Sequence, residues 1–438
     1  MAGGLSEWLA ERFDAQRARA HLLELCDAPM QGRWPGCPGE RRAADYLETV
    51  LRSLGARPLP GRVDYSDPFE VEVPEFRGLP SLRVHGAGGG RAFEYLQDFG
   101  VNVQGAAGGG RADAEAVWLG SEPMESHRGT VRGRVAVVPA EQASRAKSVS
   151  RALQSYLKLH RCLRDAGALA ILRVGHVRGV RKVMSHLREE PSLPSLDVTR
   201  EVAQAAFGRH PPGGVGTVGR RIELEVPLVH RTVASAGNVV ACLGTGSVRL
   251  LLMAHYDHLG ALPDGRIFAG ASDNAAGVAV VLEVARVIAP WAREVGHRVI
   301  VLLTTAEEVG LAGAARFVRD HGEYVSGLQL VVNVDEVGGR RGDGVVWLCA
   351  DELAKRALPV RNGFSDDPAV RTYPLPLDGF SDLAPFVAAG MTRVAAVFAR
   401  SQRRQLAHTL GDTPERIDSA QLEAVGRSVV RVLSQSVA

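Results

Sequence analysis

The run Val248-Arg249-Leu250-Leu251-Leu252-Met253-Ala254, followed at once by His255-Tyr256-Asp257, decides how the chain folds. It is short, almost wholly apolar and closed by a polar cluster, which reads as a strand buried on both faces. The pattern recurs downstream. Val299 to Thr305 is a second such strand and runs into Glu307 and Glu308. Leu328 to Val334 is a third and runs into Asp335, and Arg393 to Ala399 is a fourth that leads through a loop to His408. Between them, Ala275 to Ala289 and Leu311 to Asp320 carry helical spacing. Strands alternating with helices predict an α/β fold, a mostly parallel mixed sheet flanked by helices on both faces.

Where the polar residues fall is the informative point. In an open α/β sheet, ligands bind in the crevice beyond the carboxyl ends of the strands, so residues distant in sequence meet there. Asp273 stands just ahead of the helix that begins near Ala275, where a carboxylate is favoured as a cap. Taken singly, each residue has an ordinary explanation: a cap, a core histidine, a solvated loop, a turn before Gly338, an exposed loop histidine. Together at successive strand ends they point to one site. Adjacent glutamates straight after a buried strand are costly unless a cation compensates them. Two imidazoles and three carboxylates form a mixed nitrogen and oxygen set that suits Zn2+, then Co2+ or Mn2+, ahead of Ca2+ or Mg2+. If one carboxylate bridges two ions, His255, Asp273 and Asp335 serve one and Asp273, Glu308 and His408 the other. A shared water completes both shells, and as hydroxide it brings two divalent cations and three carboxylates to neutrality. Glu307 is then left as the candidate general base. Asp257, two residues after His255 on the same strand face, is placed to accept its second ring N–H.

The remainder of the chain bounds the answer. Its 438 residues, 45% hydrophobic and 23% charged, predict two or three ordinary globular domains and exclude a disordered chain, a coiled coil and a collagen. The net charge of +3 comes from 52 basic and 49 acidic side chains. The arginines are scattered rather than clustered, so no nucleic-acid partner is expected. No run of about 18 apolar residues occurs, so no membrane span is expected. Met1 to Ala10 carries Glu7 and no continuous apolar stretch, which predicts no secretory signal and a cytoplasmic chain as written. The five cysteines are odd in number and lack a C-x-x-C pair, which predicts buried free thiols. Leu5 to Asp27 is helical in pattern, as is Glu40 to Leu54. Gly88 to Gly90 and Gly108 to Gly110 are followed by no G-K-[ST] and read as loops, not phosphate cradles. In the segment from about 130 to 230, Gly133 to Pro139 reads as a strand, about Ser144 to Ala166 as a helix and Ala168 to Val174 as another short strand. Arg178 to Gly208 is polar and Pro-interrupted. These breaks set residues 77–230 apart from 1–76 and 231–438.

The stretches Ala254-His255-Tyr256-Asp257-His258-Leu259-Gly260, Gly270-Ala271-Ser272-Asp273-Asn274-Ala275-Ala276-Gly277, Ala306-Glu307-Glu308-Val309-Gly310-Leu311 and Asn333-Val334-Asp335 resemble the successive motifs of the co-catalytic zinc aminopeptidases. Ser381-Asp382 and His408-Thr409, with Asp412-Thr413 behind, resemble the last two. The resemblance implies the zinc exopeptidase fold, two Zn2+ per chain, the ligand and base roles given above, and a cis peptide after Asp273. It implies hydrolysis of the N-terminal bond of a peptide substrate by a metal-bridging hydroxide. Relatives include glutamate carboxypeptidase II and the transferrin receptor, which leaves a C-terminal exopeptidase and a non-catalytic receptor as alternatives. Glutaminyl cyclases are also similar but lack the full two-metal set. Gly32-Arg33 and the helix 40–54 resemble the N-terminal part of the peptidase domain, and 77–230 resembles an inserted protease-associated (PA) domain. Two positions depart from the pattern. Leu383 stands where members often carry His, and the oxyanion-stabilising tyrosine has no matching position, Tyr373 being the nearest in sequence. Members usually carry a secretion signal, so the resemblance leaves an extracellular location open.

Overall fold

Asp14 breaks the helical pattern at the start of the chain. Its carboxylate accepts the backbone N–H of Gln16 at 2.8 Å and of Arg17 at 3.3 Å, and so caps a new helix. The sequence suggests one helix there; the computed structural model has two, α1 (Ala2–Ala10) and α2 (Ala15–Cys26). It describes the chain except for residues 1, 87, 102–107, 121–127, 141–148, 176–191, 209–213, 340–343, 350–359, 362–363, 366–369, 375–380, 401–405 and 437–438. The third helix, α3 (Pro38–Ser53), opens on a proline and on Cys37, whose sulfur accepts the Glu40 N–H at 3.3 Å. Its apolar stripe, Ala43, Leu47 and Leu51, is buried.

The chain divides into two compact units. One comprises Met1–Val71, Val233–Ala261 and Ile267–Ala438, the other Glu72–Thr232 with Leu262–Arg266. The divisions thus lie at 71/72 and 232/233 where the sequence places them at 76/77 and 230/231, and the short stretch Leu262–Arg266 goes with the second unit.

The first unit is built on a ten-stranded mixed sheet. At its centre lie β1 (Val248–His255), β2 (His297–Thr304), β3 (Leu328–Val334) and β4 (Val394–Arg400), in the order β2-β1-β3-β4 and all parallel. Two antiparallel strands flank them, Leu228–Leu243 beside β2 and Gly344–Cys349 beside β4. The alternation along β1 explains its unbroken apolar run. Leu250, Leu252 and Ala254 join the core under α4 (Ala276–Glu294), α2 and α6 (Ser419–Gln435). Leu251 and Met253 join the opposite core, with Ala314 and Phe317 of α5 (Ala312–Asp320) and Leu383 and Phe386 of the helix Leu383–Ala388. Helices therefore cover both faces. The stretch Ala271–Glu294, which includes α4, is long and apolar enough by composition to cross a membrane, a feature that the search for an unbroken apolar run does not find; 89% of its most apolar window is buried inside the fold. Register then sets the site. His255 pairs with Thr304, Met253 with Asn333 and Val334 with Val397, so the parallel strands end at one level.

The second unit holds an eight-stranded sheet in which Gly110–Trp118, Val135–Pro139, Ala170–Val174 and Ser195–Val198 run parallel. The helix expected from about 144 is described as Val149–Asp165. Much of the polar stretch from 178 lies outside the described residues, but its end forms the strand Ser195–Val198 and the helix Arg200–Phe207. Arg173 and Asp197 form a buried ion pair at 2.7 Å on adjacent strands. The five cysteines are free thiols; Cys242 and Cys349 are buried and the other three partly so.

Candidate metal centre

At the carboxyl ends of β1, β2 and β3 the structure brings His255, Asp257, Glu307, Glu308 and Asp335 together, all buried. Asp273 arrives from the turn before α4, and His408 from the loop after β4. The Asp273–Asn274 peptide is cis.

Asp273 faces both sides of the cluster. Its Oδ1 lies 3.3 Å from His255 Nε2, and its Oδ2 lies 3.0 Å from His408 Nε2. On the first side Asp335 Oδ1 also stands 3.3 Å from His255 Nε2. On the second, Glu308 Oε2 stands 3.2 Å from His408 Nε2. Asp335 Oδ1 and Glu308 Oε2 are buried and make no hydrogen bond among the described residues. Buried carboxylate oxygens without hydrogen bonds are rare, and oxygens and imidazole nitrogens crowding one point are what an ion would gather. Two groups of donor atoms meet that description among the described residues: His255, Asp273 and Asp335, and His258, Asp273 and Glu308. The residues present therefore fit a pair of divalent cations sharing Asp273.

Charge in the cluster points the same way. Burial pulls the His255 imidazole down, but the carboxylates of Asp257, Asp273 and Asp335 outweigh it and raise it well above the usual range. Burial likewise opposes charge on His408, and Glu308 and Asp273 still push it up to about 10. Asp273 is held well below the ordinary carboxylate range against its burial, by His255 and His408. Glu308 is held low against burial, chiefly by His408. Protons on two imidazoles thus supply the positive charge that cations would otherwise bring.

Supporting contacts come from four places. The Asp257 carboxylate accepts the backbone N–H of Glu307 and of Glu308, each at 3.1 Å, and so fixes the turn that carries both. The His255 Nδ1 lies 3.2 Å from the Asp257 backbone carbonyl and 3.6 Å from its carboxylate, so the ring N–H goes to the main chain where the sequence suggests the side chain. The Asp412 carboxylate accepts the N–H of Ser272 at 2.9 Å and of Asp273 at 3.1 Å, tying the loop after His408 to Asp273. Arg33, fully buried, donates to the carbonyls of Tyr256, Leu25, Ala269 and Gly270. The Thr304 hydroxyl donates to Asp382. Leu383 is buried at the start of its helix, in the apolar core and not in a polar role. Tyr373 lies on the strand Val370–Pro374; its side chain is outside the described set. The sequence does not single out His258 or Glu40 as site residues. His258 stands within the stretch 254–260, but a lone histidine beside a candidate ligand has no spacing signal of its own.

Residues 238–433 match the model of peptidase family M28. The fold is that of an aminopeptidase from Aneurinibacillus sp. strain AM-1, with a TM-score of 0.71 at 19% identity over 98% of this chain and 96% of that one. A zinc aminopeptidase of Bacillus subtilis aligns with a TM-score of 0.67 at 19% identity, covering 96% of this chain and 94% of that one. A peptidase M28 precursor of Shewanella amazonensis SB2B gives 0.67 at 18% identity, over 99% and 96%. Comparison with curated protein sequences finds no match. The matched stretch, less than half of the chain, contains the four parallel strands, the turns and every one of the five candidate ligands just described, and over it the chain is similar to peptidase family M28.

Proposed function

We propose that the chain is an aminopeptidase that holds two Zn2+ and removes the N-terminal residue of a peptide. The observation that carries the reading is the orientation of Asp273, whose two oxygens face two different imidazoles, His255 and His408. The Aneurinibacillus and Bacillus proteins of the same fold are aminopeptidases, the latter a zinc enzyme. His255, Asp273 and Asp335 would hold one ion and Asp273, Glu308 and His408 the other. A zinc pair, when bound, acidifies water and polarises a carbonyl. Glu307, buried and fixed through its backbone by Asp257, takes the proton from the attacking water and delivers it to the leaving amine. Asp257 acts by holding that turn in place. The unit Glu72–Thr232 is inserted between parts of the catalytic unit, as a PA domain would be.

The test is Glu307→Gln, assayed on leucine p-nitroanilide with zinc supplied. The substitution removes the base and leaves the five ligands. Activity should fall roughly 10²- to 10⁴-fold at unchanged zinc content. A variant that keeps full activity removes Glu307 from the reaction. Cleavage of C-amidated dipeptides with none of N-blocked ones is expected; the reverse would make the enzyme a carboxypeptidase.

A further inference from the structure

We propose that His258 is a positioning residue of the metal centre, its Nδ1–H holding Glu308 Oε1 so that Oε2 alone is presented to the ion shared with Asp273 and His408. The inference rests on the two-cation reading above. His258 lies three residues beyond His255 and is fully buried. Its Nδ1 is 3.0 Å from Glu308 Oε1, while its Nε2 makes no hydrogen bond among the described residues. The other Glu308 oxygen faces His408 at 3.2 Å. The carboxylate is thus divided, one oxygen held from behind and one turned into the site. A carboxylate free to rotate would offer the ion two oxygens in many orientations. One pinned by a ring N–H offers a single oxygen in one orientation, and outer partners of this kind tune metal affinity.

The ring is wedged in place. Gly270 has φ +58, and a Cβ there would stand 2.3 Å from His258 Cγ and 2.4 Å from Cδ2. Glycine is needed both for the backbone and for the approach of the imidazole. Arg33 holds the Gly270 carbonyl at 3.0 Å, and the His258 N–H reaches the Arg33 carbonyl at 3.4 Å. The atoms of His258, Asp273 and Glu308 are also close enough, within 4.8 Å, for His258 itself to be a ligand. Two observations decide against that. Nδ1 is engaged as a donor to Glu308, and His408 Nε2 already stands at 3.0 and 3.2 Å from Asp273 and Glu308.

Three full-length variants test the assignment: His258→Leu, His258→Asn and His258→Gln. Zinc affinity is read by chelator competition, and the ligand field by the visible spectrum of the Co2+-loaded protein. Asn places an amide N–H near the position of Nδ1, and Gln near that of Nε2. His258→Leu should weaken one zinc of the two roughly 10- to 100-fold and leave the other unchanged. His258→Asn should restore affinity to within about threefold, with the wild-type cobalt spectrum. Wild-type affinity in His258→Leu overturns the proposal, as does restoration by Gln and not by Asn. An altered cobalt spectrum in His258→Asn makes His258 a ligand and overturns it too. Should His258→Leu not fold, the comparison of Asn with Gln decides alone. A wild-type chain that takes up fewer than two zinc ions instead defeats the two-cation reading, and this inference with it.

Discussion

Glu40 shows what a single buried carboxyl does behind the site. It sits in the first turn of α3, only 4% exposed. Its Oε1 accepts the Thr305 hydroxyl at 2.7 Å, its Oε2 accepts the Gly36 N–H at 2.6 Å, and the Tyr256 hydroxyl is 3.4 Å away. Thr305 and Tyr256 belong to the two turns that carry Glu307 and His255, so Glu40 braces both from outside the ligand set. Burial pushes its carboxyl up to about 7, against the pull of these donors. The folded chain therefore holds a proton that the unfolded chain, with an ordinary value of 4.5, has released. That contribution is complete below about pH 4.5 and is lost as pH rises through about 7. Wild type should lose thermal stability between about pH 5.5 and 8, by an amount on the order of 2 kcal/mol larger than Glu40→Gln, which cannot ionise. Thermal scans of the zinc-loaded proteins at the two pH values measure this. Parallel pH dependence in the two proteins would mean that Glu40 is already ionised at the lower value. The sequence gives no sign of this role, because on an amphipathic helix a polar residue in the first turn looks like a solvated one.

At the scale of elements, legibility followed periodicity. β1, β2, β3 and β4 were readable because a strand buried on both faces is an unbroken apolar run, and each is found within three residues of its expected ends. The candidate ligands His255, Glu308 and Asp335 are legible for the same reason, since a parallel sheet must end its strands on one side. Leu228–Leu243 mixes buried, half-buried and exposed residues over more than half its length, with His230 and Arg231 within it, and carries no such signal. The join between α4 and β3 depends on a feature smaller than either element. A Cβ on Gly277, in the first turn of α4, would lie 2.6 Å from the Val334 carbonyl and 2.1 Å from Asn274 Oδ1. Asn274 donates to that same carbonyl at 2.9 Å. Val334 immediately precedes Asp335, so added bulk separates Asp335 from Asp273. Gly277→Ala should lower the thermal midpoint by a few degrees, as overpacking of about 1–3 kcal/mol does, and weaken the zinc held by His255, Asp273 and Asp335. Zinc titration beside a thermal scan tests both parts. Retention of both ions at wild-type affinity would show that the turn has room to move.

For the molecule as a whole, the metal centre joins parts of the chain that are far apart. Asp412 is bonded to Ser272, Arg33 to Tyr256 and Gly270, and His408 faces Asp273. Ions seated there bind only the folded chain and so stabilise it by mass action. Chelation should lower the thermal midpoint, and the size of the drop should depend on pH. In the chelated protein His408 holds a proton up to about 10, against an ordinary value of 6.5. Its stabilising pairing with Glu308 and Asp273 is complete below about pH 6.5 and disappears as pH rises through about 10. A bound cation replaces that proton and removes the dependence, because ligating imidazoles are neutral. The gap in midpoint between zinc-loaded and chelated protein should widen steadily from about pH 6.5 to 9. Scans at constant ionic strength across that range measure it. A gap that narrows with pH would mean that the imidazoles are not what the ions displace, and the ligand set would have to be sought elsewhere in the fold.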